Sequence, residues 1–332
     1  MMFDLHPLHG IHEPTTGTPV RKPNSVRRTS SIDMTRDEGS FDPLFLRGVA
    51  RDLVTGPDGT ATELGRAECR ATVDMIPRVV QHIETTPTVD GMSRLVGAPA
   101  MSGFRRAADK VAPQLRQHRH LLYTLLDDIP VATLISGHAL SASGLLGANK
   151  SGYLPVADRC AGFITGGLLM SSFEAGDPAL VTGPIAPDLE DSDDLLSWHD
   201  LAPLPIHGMR RRRRIDVAGA EDGTVAIDAM FRDTYVRGDG QETIIHEYTL
   251  TASVDVEDMI VEAEAVPRVL PWQECPGAVA SARRLAGMCL SDLHSRVRNE
   301  LTGTSTCTHL NDLLRSIADA EVLRHELRPR SV

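Results

Sequence analysis

Two stretches decide how this chain is read: Arg51–Asp74, RDLVTGPDGTATELGRAECRATVD, and Arg232–Asp255, RDTYVRGDGQETIIHEYTLTASVD. They align without a gap over 24 positions, and eight pairs are identical: Arg51/Arg232, Asp52/Asp233, Asp58/Asp239, Gly59/Gly240, Thr62/Thr243, Ala71/Ala252, Val73/Val254 and Asp74/Asp255. Ordinary composition would produce roughly one or two. The likeness extends upstream, where Arg27-Arg28 and Ile32-Asp33-Met34 parallel Arg213-Arg214-Ile215-Asp216-Val217. Downstream, Ser93–Gly97 parallels Arg283–Gly287, and Leu125–Ile129 parallels Leu313–Ile317. Repetition of a whole pattern signals repeated architecture. The expectation is a duplicated unit, with copies over 25–140 and 208–328.

Each copy carries strand patterns first and helix patterns later. Thr243–Asp255 is rich in Thr, Ile and Tyr and partly alternates, as a half-buried strand does. It follows Gly238-Asp239-Gly240, a hairpin-turn signal that Asp58-Gly59 repeats in the first copy. Met259–Val266 reads as the next strand. Ala278–Leu290, Asp292–Leu301 and Thr308–Ile317 have helical spacing, and Pro113 weakens the corresponding helix of the first copy. The expected fold class is α+β: two similar units, each a small antiparallel sheet covered by helices, packed as a pseudo-dimer. Residues 1–24 read as a disordered lead-in whose His6, His9 and His12 form no packed ligand set. Residues 141–207 read as a connecting segment. Its acidic run, Asp188–Asp194, suits a solvated linker, with the Arg210–Arg214 block as its natural charge partner there or at a sheet edge.

Composition bounds the function. At 332 residues the chain is long enough for about two domains. A net charge of −11 and 4% aromatics oppose phosphate tracking and base stacking, so no nucleic-acid partner is expected. No apolar run reaches the ~20 residues of a membrane span; the longest, Ala161–Phe173, is interrupted by glycines. MMFDLHPLHGIHEP lacks a basic region leading into an apolar stretch, so no secretory signal is expected. Five cysteines, few and odd in number, fit a reducing cytoplasm. No phosphate-cradling or dinucleotide motif is present.

A duplication allows one copy to keep chemistry that the other has lost, so the differences matter. His246 and Glu247 stand opposite Gly65 and Arg66, and Cys307 and His309 stand opposite Arg119 and Leu121. Cys275 occupies a connection that is shorter and cysteine-free in the first copy. His246, Cys275, Cys307 and His309 are therefore the candidate metal ligands, a set suited to zinc or iron. Glu247 is expected on the opposite face of the strand from His246 unless a bulge intervenes. A metal-free alternative makes Cys307 a nucleophile at a helix start, with His246 or His309 as base and Glu247 as orienter or general acid. A third reading is a non-catalytic scaffold or binding module. Cys69, Cys160 and Cys289 read as packing residues, and His118, His120 and His294 as exposed helix positions. Either a monomer with pseudo-twofold symmetry or a homodimer fits, and neither a small-molecule nor a protein partner is specified.

The series Ile245-His-Glu-Tyr248, Glu262-Ala-Glu264, Cys275-Pro-Gly-Ala278, Arg284-Leu-Ala-Gly287 and Cys307-Thr-His-Leu310 resembles a bacterial family, domain of unknown function 2889. The first copy, with Arg27–Asp33, resembles a duplicated actinobacterial form. The resemblance implies a bacterial cytoplasmic protein and supplies no activity. The order of hairpin, Cys at a strand-to-helix junction, helices and a late Cys/His pair is also distantly similar to NifU/SufE-like scaffolds. Those use Cys and His to hold zinc or an assembling cluster. Here the late pair runs Cys-Thr-His rather than His-Cys and His246 stands in for an early Cys, so the likeness implies a metal site rather than cluster assembly.

Overall fold

The structure, a computed structural model, describes residues 10–145, 156–176, 180–190, 193–220 and 222–327. Four strands, β1 (Ser25–Thr35), β2 (Leu44–Thr55), β3 (Ala61–Asp74) and β4 (Val79–Thr86), form an antiparallel meander. Helices α1 (Phe104–Val111), α2 (Pro113–Gln117), α3 (Leu121–Ile135) and α4 (Gly137–Ala142) follow. Pro113 ends the first of these and opens the second, where a missing N–H costs nothing. After α5 (Leu168–Ala175) a second meander is built from β5 (Met209–Gly219), β6 (Val225–Val236), β7 (Glu242–Val254) and β8 (Ile260–Val269). A 3-10 helical stretch (Cys275–Leu285), α6 (Leu290–Glu300), α7 (Thr308–Ser316), a 3-10 turn (Ile317–Asp319), α8 (Ala320–Leu323) and a last 3-10 turn (Arg324–Leu327) follow. Gly59 and Gly240 sit at φ 85° and 83° at the tips of the β2–β3 and β6–β7 hairpins, a conformation that favours glycine.

The α+β class holds, but the expected two small sheets are one. The strand order is β4-β3-β2-β1-β5-β6-β7-β8. Strands β1 and β5 pair antiparallel from Ser25↔Ala218 to Met34↔Met209. Left apart, each would be an edge strand with a row of unpaired backbone groups; pairing satisfies both edges at once. Two bidentate contacts bracket this junction. Arg27 Nε and Nη2 donate to Asp216 at 2.6 and 2.8 Å, and Arg210 Nε and Nη2 donate to Asp33 at 2.5 and 2.9 Å.

The basic block 210–214 is therefore the centre of the sheet rather than an edge or a linker surface. A strand turns successive side chains to opposite faces. Arg211 and Arg213 point to the helices, where they meet Asp128, Asp233 and Asp312. Arg210, Arg212 and Arg214 point to the other face, where Arg212 meets Glu190 at 2.9 Å and lies over Trp198. Glu190 belongs to the acidic run, so part of that run is held by the sheet. Asp194, from the same run, takes both Arg21 Nε and Nη2 at 2.7 and 2.8 Å.

Residues 10–24 also depart from the disordered lead-in expected over 1–24. His12 bridges Val269, and Glu13 N donates to Arg268 O at 2.7 Å. Arg232 Nη2 donates to Thr15 O at 2.6 Å, and Trp198 Nε1 donates to Thr18 Oγ1 at 2.8 Å. Low local hydrophobicity concealed this, because the segment is held by hydrogen bonds to partners more than 170 residues away. Met1–His9, with His6 and His9, lie outside the described residues.

On the helix face each meander has its own apolar core. Leu44, Leu46, Ile83, Phe104, Leu122 and Leu126 belong to one; Phe231, Leu250, Leu285, Leu293, Leu310 and Leu313 belong to the other. Fully burying such a side chain stabilises by roughly 1.5–3 kcal/mol. Between the cores runs a charged seam in which Arg105, Arg211, Arg213 and Arg315 interlock with Asp127, Asp128, Asp233 and Asp312. His294, expected to be exposed, is buried at this seam, 3.4 Å from Asp127 and edge-on to Tyr123.

Candidate functional site

Asp233 lies within the buried stretch of β6, directly across from His246 of β7. The next pairing is Thr234↔Ile244, so Ile245 is an extra residue in β7. This bulge lets Ile245 enter the first meander's core while His246 also faces the helices. Helix α7 supplies the third group. His309, in its first turn, stacks on His246 with ring centroids 3.8 Å apart and planes 19° apart.

One ligand atom from each of Asp233, His246 and His309 lies within 4.8 Å of the other two, the one such group of His, Cys, Asp or Glu among the described residues. His246 Nδ1 is 3.2 Å from Asp233 Oδ2, and His309 Nδ1 is 3.9 Å from the same oxygen. His309 Nδ1 is buried with no hydrogen-bond partner. Leaving such an atom unsatisfied costs about 1–3 kcal/mol, so it demands an explanation. Desolvation, reinforced by His246, holds the His309 imidazole at about 3, so it is neutral with a free lone pair at ordinary pH. Burial and His246 likewise hold His138 at about 3.

Asp233 is fully buried. Desolvation opposes its charge, but Arg211 and then His246 outweigh that and keep the carboxyl below its ordinary range. Arg211 Nη1 sits 3.0 Å from both carboxylate oxygens and fixes their plane. Arg211 in turn lies 3.3 Å from Asp128 and from Asp312, and its guanidinium carbon stands 4.5 Å over the Phe231 ring.

The four ligand candidates read from the sequence divide into two groups. His246 and His309 come together; Cys275 and Cys307 lie elsewhere. Cys307 stands at the start of α7, as expected, though it rather than Thr306 or Ser305 holds the N-cap position, and its thiol lies beside Tyr248 with those of Cys275 and Cys160 nearby. The Phe231 ring lies between the groups, 6.5 Å from His309 and 5.8 Å from Tyr248. Burial pushes the Cys307 thiol up to about 11, against a smaller pull from the N–H groups of Leu310 and His309. Cys275 is likewise pushed well up by burial and then by Cys307, and Cys160 is raised by burial. Glu247 is on the opposite face of the sheet, where it accepts from Arg232 Nε at 2.6 Å and from Thr15 N at 2.7 Å. Asp233, not Glu247, is the carboxylate at His246.

Asp233 escaped the sequence reading for a definable reason. It is one of the eight identities, so the differences between the two stretches do not point to it. Its signal was there: Arg232-Asp233 faces Ile245-His246 across the Gly238–Gly240 hairpin. The first half carries a comparable arginine–aspartate contact with no histidine beside it. Asp52 pairs across from Gly65, with Leu64 as the extra residue, and accepts from Arg28 Nε and Nη2 at 2.8 and 2.7 Å. A Cβ placed on Gly65 would meet Leu121 Cδ1 at 3.6 Å. Gly65 and Leu121 thus stand where His246 and His309 meet in the second half.

The sequence profile of a family described as a protein of unknown function (DUF2889) matches residues 209–323, a segment that contains all three site residues. No curated protein and no solved structure matches the chain. Among the described residues no helix is long and apolar enough to cross a membrane.

Proposed function

We propose that this protein binds one divalent transition metal, iron(II) or zinc(II), through Asp233, His246 and His309. The observation that carries the reading is the convergence of three ligand atoms within 4.8 Å, one of them a buried imidazole nitrogen with no partner. Two imidazoles and a carboxylate are a recognised donor set for zinc and for non-haem iron, and three protein ligands leave positions open for a small ligand. Arg211 acts behind Asp233 as an outer-shell partner that orients the carboxylate. The stacked rings must part on loading, because each lone pair lies in its own ring plane.

The first half is read as a supporting copy of the same unit. The reciprocal pairs Arg27–Asp216 and Arg210–Asp33 support this, since residue i contacting j while j's counterpart contacts i's is the mark of a twofold interface. The alternative in which Cys307 attacks as a thiolate has less support, because a thiol held at about 11 is protonated at neutral pH.

Elemental analysis of protein prepared without a polyhistidine tag, after anaerobic loading, tests the proposal. About one equivalent of iron or zinc is expected in the wild type, and loss of that metal in His246→Ala and His309→Ala. Less than about a tenth of an equivalent in folded wild-type protein overturns it.

A further inference from the structure

Resting on that metal-site reading, we infer that the site takes its metal together with an anionic co-ligand, specifically a small chelating carboxylate that supplies two oxygens and two negative charges. The inference comes from the charges around Asp233. In a simple two-histidine, one-carboxylate site the carboxylate offsets part of the ion's charge. Here that carboxylate is already matched by Arg211, whose Nη1 is 3.0 Å from both of its oxygens. Arg211 is itself matched by Asp128 and Asp312, each 3.3 Å away. Followed outward, the connected seam contains four arginines (Arg105, Arg211, Arg213, Arg315) and four aspartates (Asp127, Asp128, Asp233, Asp312). Its formal charge is zero before any ion enters.

A divalent cation at Asp233, His246 and His309 then leaves two positive charges uncompensated among buried groups. Asp233 is fully buried, and the His246 and His309 side chains are only 12% and 14% exposed, so solvent screens the excess poorly. Neutral water in the open coordination positions does nothing to the balance. A dianion that chelates the ion fills those positions and restores neutrality in one step. No bond is made or broken in this binding event.

The probe is cobalt(II), whose visible absorption reports its ligands, with oxalate as the dianion and oxamide as a neutral compound of similar shape. Wild-type protein is loaded with cobalt and then mixed with excess EDTA, which makes free-metal chelation by oxalate irrelevant to the release rate. Oxalate is expected to shift the cobalt spectrum and to slow release by about tenfold or more, and oxamide to do neither. Asp128→Asn, which removes one negative charge from the seam, is expected to widen the difference between the two compounds. Equal release with oxalate and oxamide from a protein that does bind cobalt overturns the inference and leaves the metal site standing. Failure to bind cobalt with or without oxalate overturns the metal site, and this inference with it.

Discussion

The two halves of the sheet share a frame and differ in two side chains that matter. Each has an arginine on the inner strand bound to an aspartate on the next, Arg28 to Asp52 and Arg211 to Asp233. Each has an extra residue in the following strand at that point, Leu64 or Ile245. The first half then presents Gly65 against Leu121, and the second His246 against His309. The arginine–aspartate pair and the bulge therefore belong to the architecture, while the paired imidazoles belong to whatever the second half does. Retained polar groups are not by themselves marks of function, and Asp233 has both a structural partner and a chemical one.

The comparison breaks most sharply if the second half can be made like the first. The double variant His246→Gly, His309→Leu should lose metal affinity by more than about 100-fold while remaining folded, since the first half already accommodates that pair. Metal content alongside near-UV circular dichroism checks both parts. Retained metal in a folded double variant would move the site elsewhere.

Next in size is the arginine beneath each aspartate. Arg211→Met leaves Asp128, Asp233 and Asp312 without their shared cation and should cost about 3–5 kcal/mol in urea denaturation. Arg28→Met exposes Asp52 and Asp319 to the same loss, but Asp52 is less buried, so a smaller cost is expected.

The junction between halves carries a pH dependence. His199 is buried against β1, its Nδ1 2.9 Å from Thr29 Oγ1 and its Nε2 2.9 Å from Ser31 Oγ. Burial, aided by Arg51 and other nearby arginines, holds it at about 3. An unfolded histidine titrates near 6.5, so the unfolded chain binds the proton more readily. Stability is then full above about pH 6.5 and declines as pH falls towards the folded value, by about 2 kcal/mol at pH 5 from this group alone. His199→Gln should flatten that slope in denaturation curves at pH 7 and pH 5; an unchanged slope would assign the acid sensitivity to other groups.

The smallest effect sharpens the likeness rather than the difference. Gly59 and Gly240 have the same left-handed backbone and no neighbour within 4 Å of a new Cβ. Gly59→Ala and Gly240→Ala should each cost about 1 kcal/mol, equally, because the cost is backbone strain alone. Unequal costs would mean that the two hairpins bear different loads.

Much of the local structure was legible in the residues. The Asp-Gly turns, the alternation in Thr243–Asp255 and the helical spacing of Thr308–Ile317 became a hairpin tip, β7 and α7. The opposite facing of His246 and Glu247 also followed from strand geometry, even with a bulge beside them. His294 was misread because one helix position looks much like another until the neighbouring helices are in place. The cysteines were misassigned to the imidazoles because closeness in sequence, Cys307 beside His309, does not say which way a helix start turns each side chain.

Alternation, turn chemistry and helical period act over a few residues, so the chain alone determined its hairpins, its helices and the fact that its distinctive imidazoles lie in the C-terminal half. Contacts between segments far apart in the chain depend on register and on which surfaces must be covered. Tertiary structure alone therefore decided that β1 and β5 join one sheet, that 10–24 lie along it, and that Asp233 rather than a thiol meets His246 and His309. Backbone groups at two strand edges and charges on five consecutive arginines must all find partners, and only the assembled molecule provides them.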